Sequence, residues 1–176
     1  METKKKKNEA TDMPNAHLHE LLVDELKDMF NAERQLLKGL KTMAGASKGD
    51  ELKEAFQIHL EQTEWQIEQL RKVFGILNLP VRGKTCKAME GLLKEASEIQ
   101  SDFEDSEALD AALIAAAQKI EHYEIASYGC MATYAELMEH EEAAQVLREI
   151  LEQEKATDEL LTDIAKKSAN KGTEVD

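Results

Sequence analysis

Residues Asp110–Met138 read DAALIAAAQKIEHYEIASYGCMATYAELM. The stretch contains no proline and is rich in alanine, the strongest helix former. Leu113, Ala116, Ile120, Met131 and Tyr134 recur at helical spacing and, with Leu109 before them, mark one apolar stripe. Such a pattern predicts a long helix, from near Ser106 to about Met138, packed along one side. Glu124 interrupts the stripe near its middle. Burying an ionised carboxylate without a partner costs several kcal/mol, so this position asks for an explanation.

The same interruption recurs elsewhere. A first helix is expected from about Ala16 to about Ala44, with Leu18, Leu22, Leu26, Met29, Leu36 and Leu40 inward and Glu33 filling the gap after Met29. A second is expected from Asp50, read as its cap, to about Leu77, with Leu52, Phe56, Leu60, Thr63, Ile67, Leu70, Phe74 and Leu77 inward and His59 on the inner half. The sequence NLPVRG then breaks the pattern, because proline disfavours helix at the residue before it. Within the long connection, CKAMEGLLKEASEIQ reads as a shorter helix with Met89, Leu92, Leu93, Ala96 and Ile99 on one side. A last helix is expected from about Glu141 to about Lys167, with Leu147, Leu151, Leu161 and Ala165 inward and Glu154 and Asp158 mid-stripe.

Two helical hairpins joined by a long link with its own helix predict an all-α fold. The expected architecture is a ferritin-like four-helix bundle whose long crossover carries an additional short helix. The bundle is expected over residues 16–168, with disordered tails at 1–15 and 169–176.

Composition narrows the function. The chain carries 36 acidic against 22 basic residues, a formal net charge of −14. That argues against nucleic acid as a partner, since phosphate binding needs a basic face. Cys86 and Cys130 form no Cys-x-x-Cys pair and imply no disulfide framework, so a cytoplasmic location is expected. No apolar run approaches the ~20 residues of a membrane span. The alanine-rich stretch DAALIAAAQ suits close helix packing, within the bundle or across a dimer interface.

Glu33, Glu124 and Glu154 all fall within about 30° of their helices' apolar centres, at roughly 100° per residue. His59 is offset by about 60°. Counted from the hairpin turns, these residues lie at matching heights. Asp158 follows Glu154 by one turn on the same face, close enough for both to reach one ion. Glu121 precedes Glu124 by one turn, nearer the stripe's edge. Carboxylates with an imidazole suit iron, manganese or zinc. Each residue alone has a plainer reading, as a hydrogen-bonded or rim-directed core group; together they predict a cation. Glu61-x-x-Glu64 has the spacing of a ligand pair, but Glu61 points largely outward; His17 and His19 are expected in solvent, and His122 outward. No Gly-rich phosphate loop or Ser/His/Asp arrangement is present.

Several segments resemble the YciF/YciE family of bacterial ferritin-like stress proteins: DMFNAERQL (Asp28–Leu36), HLEQTEWQIEQL (His59–Leu70), KAMEGLLKEA (Lys87–Ala96), DAALIAAAQKIEHYEIASYG (Asp110–Gly129) and LEQEKATDELLTDIA (Leu151–Ala165). The resemblance implies a ferritin-like bundle related to rubrerythrin, a homodimer, and a metal site between the helices, without implying a reaction. Glu121-x-x-Glu124 looks like the third-helix pair of rubrerythrin, and Glu33 matches the single first-helix ligand of such bundles. The chain departs from the Glu-x-x-His pattern that di-iron bundles place on two helices, so a single metal or an asymmetric pair fits as well. The expected function is metal binding, with iron first, in stress tolerance, through chemistry with a small oxidant such as peroxide. The alternative is a structural or interaction bundle that keeps vestigial acids.

Overall fold

The computed structural model describes residues 15–169 of the chain. The helices are α1 (Ala16–Ala46), α2 (Asp50–Ile76), α3 (Lys87–Asp102), α4 (Leu109–Leu137) and α5 (Glu141–Ile164), which continues into a wider π-helical turn, Ala165–Ala169. Among the described residues there is no strand, and no helix is long and apolar enough to cross a membrane. Of the tails expected at 1–15 and 169–176, all but Asn15 and Ala169 lies outside the described residues.

Local chemistry sets the helix ends. α4 starts at Leu109 rather than near Ser106, because Ser106 closes a turn of its own. Its hydroxyl accepts from the Ala108 N–H at 3.1 Å and its carbonyl from the Leu109 N–H at 3.2 Å. Asp50 is not the cap of α2. Gly49 holds that position, and the carboxylate of Asp110 on α4 accepts from the Lys48 and Gly49 N–H groups at 2.9 and 2.8 Å. The cap is supplied by a neighbouring helix, which no local pattern reveals. After α2, Asn78 adopts a left-handed conformation (φ 54°) and the Leu79 N–H bonds back to the Phe74 carbonyl at 2.8 Å. Asparagine tolerates this helix stop, and Pro80 prevents resumption.

The four long helices form a bundle, with α1 against α2, α2 against α5, α5 against α4 and α4 against α1. Adjacent helices run antiparallel. Along α1 and α4, Lys48 meets Asp110, Asp28 meets Tyr123, and His19 meets His140. Along α2 and α5, Gln62 meets Thr157 and Gln66 meets Gln153. α2 and α4 therefore point the same way, and the chain must travel the bundle's length between them. It does so beside α1. The Lys84 N–H bonds the Lys27 carbonyl at 3.1 Å, the Cys86 N–H bonds Asn31 at 2.8 Å, and Gln35 bonds the Cys86 carbonyl at 3.1 Å. α3 then packs over α1 and α4. Gly39 permits that approach, because a Cβ there would collide with the Leu93 side chain.

Leu22, Leu26, Met29, Leu36, Leu70, Phe74, Leu113, Met131 and Leu147 are fully buried. Each such side chain contributes about 1.5–3 kcal/mol relative to exposure. Leu18, Leu60, Tyr134 and Leu151, read as inward, are half-buried at the seams. This apolar frame leaves its middle layer to polar groups.

Candidate metal centre

Glu33 from α1, His59 from α2, Glu121 and Glu124 from α4, and Glu154 from α5 are all buried, none more than 1% exposed. His59, Glu121, Glu124 and Glu154 each offer one potential ligand atom, and these atoms lie within 4.8 Å of one another. His59 stands between two acids, with Nδ1 3.2 Å from Glu121 and Nε2 3.6 Å from Glu154. Glu33 flanks the group on the Glu124 and Glu154 side. The hydroxyl of the fully buried Tyr128 donates to its Oε1.

The electrostatics follow from burial. Desolvation pushes the Glu33 carboxyl up to about 8, and the charge of Glu154 adds to it, while the Tyr128 hydrogen bond and His59 pull it down. Glu121 is held well above the ordinary carboxylate range by burial first, then by Glu154 and Asp158. Glu124 is raised the same way by burial, then by Glu33, Glu154 and Glu121. The cluster holds more negative charge than its low-dielectric surroundings favour, and it relieves this by keeping protons or by taking a cation.

The donor set fits a cation. Buried polar atoms in folded proteins nearly always have hydrogen-bond partners. Here Oε1 and Oε2 of both Glu124 and Glu154, Oε2 of Glu33 and Glu121, and both ring nitrogens of His59 have none while the carboxyls are ionised. Glu33 with Glu124 and Glu121 with Glu154 become hydrogen-bonded pairs only where one carboxyl keeps its proton. Oxygen-rich ligands with one imidazole match iron, manganese and zinc.

The structure departs from the periodicity at Asp158, Glu121 and His19. Asp158 stands outside the four-residue group, with its side chain 21% exposed. Gln118 donates to it at 3.1 Å, and Nε2 of the largely exposed His122 lies 3.5 Å away. Glu121 is deeper than its place on the stripe suggested. α3 covers a second face of α4 and widens the buried arc, so the stripe's centre does not mark the bundle axis. His17 is exposed beside Glu20. His19, expected in solvent, is half-buried; its ring lies edge-on to His140 at 5.9 Å, and its Nδ1 is buried without a hydrogen bond. Glu61 is exposed, as its phase implied, and so is Glu64.

Tyr123 and Tyr128, candidates for a place near a redox site or for plain packing with a satisfied hydroxyl, each bond a carboxylate on α1. Tyr128 lies one turn beyond Glu124, a spacing that puts it on the same face, yet only the fold shows that it reaches across to α1. Tyr123 donates to Asp28 at 2.8 Å, with Sγ of the buried Cys86 3.1 Å from its hydroxyl. This second group ties the crossover to α1 and α4.

Comparison with known proteins places the chain. Residues 17–174 match the family described as a domain of unknown function, DUF892. Protein YciF of Escherichia coli (strain K12) is 47% identical over 158 residues, which cover 89% of this chain and 95% of that protein. The crystal structure of the E. coli stress protein YciF superposes with a TM-score of 0.81 at 46% identity, covering 88% of this chain and 98% of that one. YcfI from Rhodopseudomonas palustris, described as a proposed structural protein, also gives a TM-score of 0.81, at 38% identity over 86% of this chain and 95% of that one. A Xanthomonas campestris protein at 23% identity shares the fold, with a TM-score of 0.71. The chain belongs to the DUF892 family and is a helical bundle similar to the stress protein YciF.

Proposed function

We propose that the buried cluster is a metal centre, filled by iron, and that the protein serves stress tolerance through it. One observation carries this reading: the ligand atoms of His59, Glu121, Glu124 and Glu154 converge in the core, mostly without hydrogen-bond partners. Evolving four such groups at one level is costly for stability unless a cation binds them. Glu33 completes the acid set from α1, while Tyr128 orients its carboxylate. His59 supplies the nitrogen donor. The five side chains are at most 1% exposed, so bulk water is excluded from them. Iron held there would supply electrons to a small oxidant such as peroxide.

The test is anaerobic loading with Fe(II), followed by one addition of hydrogen peroxide. The reading expects peroxide consumption that follows bound iron and is lost in His59→Ala. Iron that binds with no peroxide consumption would remove the oxidant chemistry and leave the site as a store or a structural metal.

A second reading rests on the Glu33 carboxyl, which at about 8 retains its proton at neutral pH. On that reading the acids are a protonated core layer in a structural protein, the class named for the R. palustris relative. It expects metal-free protein to be fully functional in the host's stress response, with Glu124→Gln equally active.

A further inference from the structure

A site this deeply buried needs a route by which a hydrated cation reaches it, and the seams on either side of α5 carry polar side chains. Between α2 and α5 the seam is lined by Gln62, Gln66, Gln153 and Thr157, all neutral. Between α4 and α5 it is charged. Asp158 lies half-buried one helical turn beyond Glu154, and His122, on the surface, directly follows Glu121 in sequence. Gln118 fixes the Asp158 carboxylate, donating to it at 3.1 Å and to Thr162 at 2.8 Å. One residue before His122 on α4 stands Glu121, which is buried and whose Oε2 accepts no hydrogen bond.

We propose that Asp158 and His122 form the portal through which a divalent cation passes along the α4–α5 seam to Glu121 and the buried cluster. The inference rests on the metal-centre reading above. A hydrated divalent ion loses its water reluctantly, and a succession of ligands lets it exchange water for carboxylate in steps. Asp158 with His122 at the rim offers one carboxylate and one imidazole. Glu121 with His59, 3.2 Å apart in the core, offers the same pair one stage deeper. Negative charge at the rim of a buried site also concentrates cations, which accelerates association about tenfold or more and is screened by salt. The neutral α2–α5 seam lacks that attraction.

The test is rapid mixing of the full, metal-free chain with excess Co(II), read by the visible absorption that grows as the ion takes protein ligands. Asp158→Asn preserves the hydrogen bond from Gln118 and removes the charge. It is expected to slow uptake about tenfold at low ionic strength while reaching the wild-type final absorbance. His122→Ala should slow uptake less, and Gln62→Leu, which closes the neutral seam, should leave the rate unchanged. Added salt should slow the wild type more than Asp158→Asn. Equal rates in the wild type and Asp158→Asn would overturn the portal while leaving the metal centre standing. A reduced final absorbance in Asp158→Asn would overturn it too, making Asp158 a ligand. No Co(II) uptake by the wild type at equilibrium would overturn the metal-centre reading, and the portal with it.

Discussion

The buried hydroxyl of Tyr128 donates to the carboxylate of Glu33, joining α4 to α1 at the flank of the acidic cluster. This hydrogen bond opposes the upward pull of burial on Glu33. Removing a donor from a buried carboxyl costs ~1–3 kcal/mol. Tyr128→Phe should therefore lower the melting temperature of the metal-free protein by roughly 3–10 °C, measured by circular dichroism at neutral pH. An unchanged melting temperature would mean that the Glu33 carboxyl finds another partner.

Stability should depend on pH in an unusual direction. Glu33, Glu121 and Glu124 all have carboxyls raised on folding, Glu33 from 4.5 to about 8. Between those values the folded state binds more protons than the unfolded one, so stability falls as pH rises. A tenfold gain in proton affinity on folding is worth ~1.4 kcal/mol, and the loss should reach several kcal/mol. Denaturant midpoints of the metal-free protein are expected to fall steadily from pH 5 to pH 8. Bound metal should flatten that slope, because the ion takes the place of the protons.

Glu124 gives the sharpest test of charge. Its carboxyl is repelled by Glu33, Glu154 and Glu121 in turn. Glu124→Gln removes that repulsion at nearly constant volume, and should stabilise the metal-free protein at pH 8 by ~1–3 kcal/mol. The same variant should lose the rise in melting temperature that added Fe(II) gives the wild type. Thermal melts with and without Fe(II) check both expectations.

Asp110 accepts two backbone hydrogen bonds at the start of α2 from its place on α4. Asp110→Ala should cost about 1 kcal/mol or more, the usual range for a lost helix cap. Hydrogen exchange should show faster opening of the first turn of α2, with the centre of the bundle unaffected.

Much of this was legible in the residues. The stripes through Leu22, Leu113 and Leu147 set the helices, and Asn78 with Pro80 set the break between the hairpins. Glu33, His59, Glu124 and Glu154 stood out because each interrupts such a stripe. Glu121 read as marginal, since the stripe on α4 reports two burial surfaces, one facing the bundle and one facing α3. The Asp110 cap and the Tyr128 contact were invisible, because each joins residues far apart in the chain. Asp158 shares a helical face with Glu154, yet one turn along α5 carries it from the core to the rim. Periodicity gives a residue's angle about its helix more readily than its depth in the bundle.

Elemental analysis of the chain purified without added metal, beside Glu124→Ala and His59→Ala, decides whether the buried cluster is a metal centre. Iron or manganese at about one to two equivalents per chain, and lost in both variants, is the expected result. Metal absent from the wild type even after reloading with Fe(II), or present equally in all three proteins, would contradict it. The acids would then be a protonated core layer.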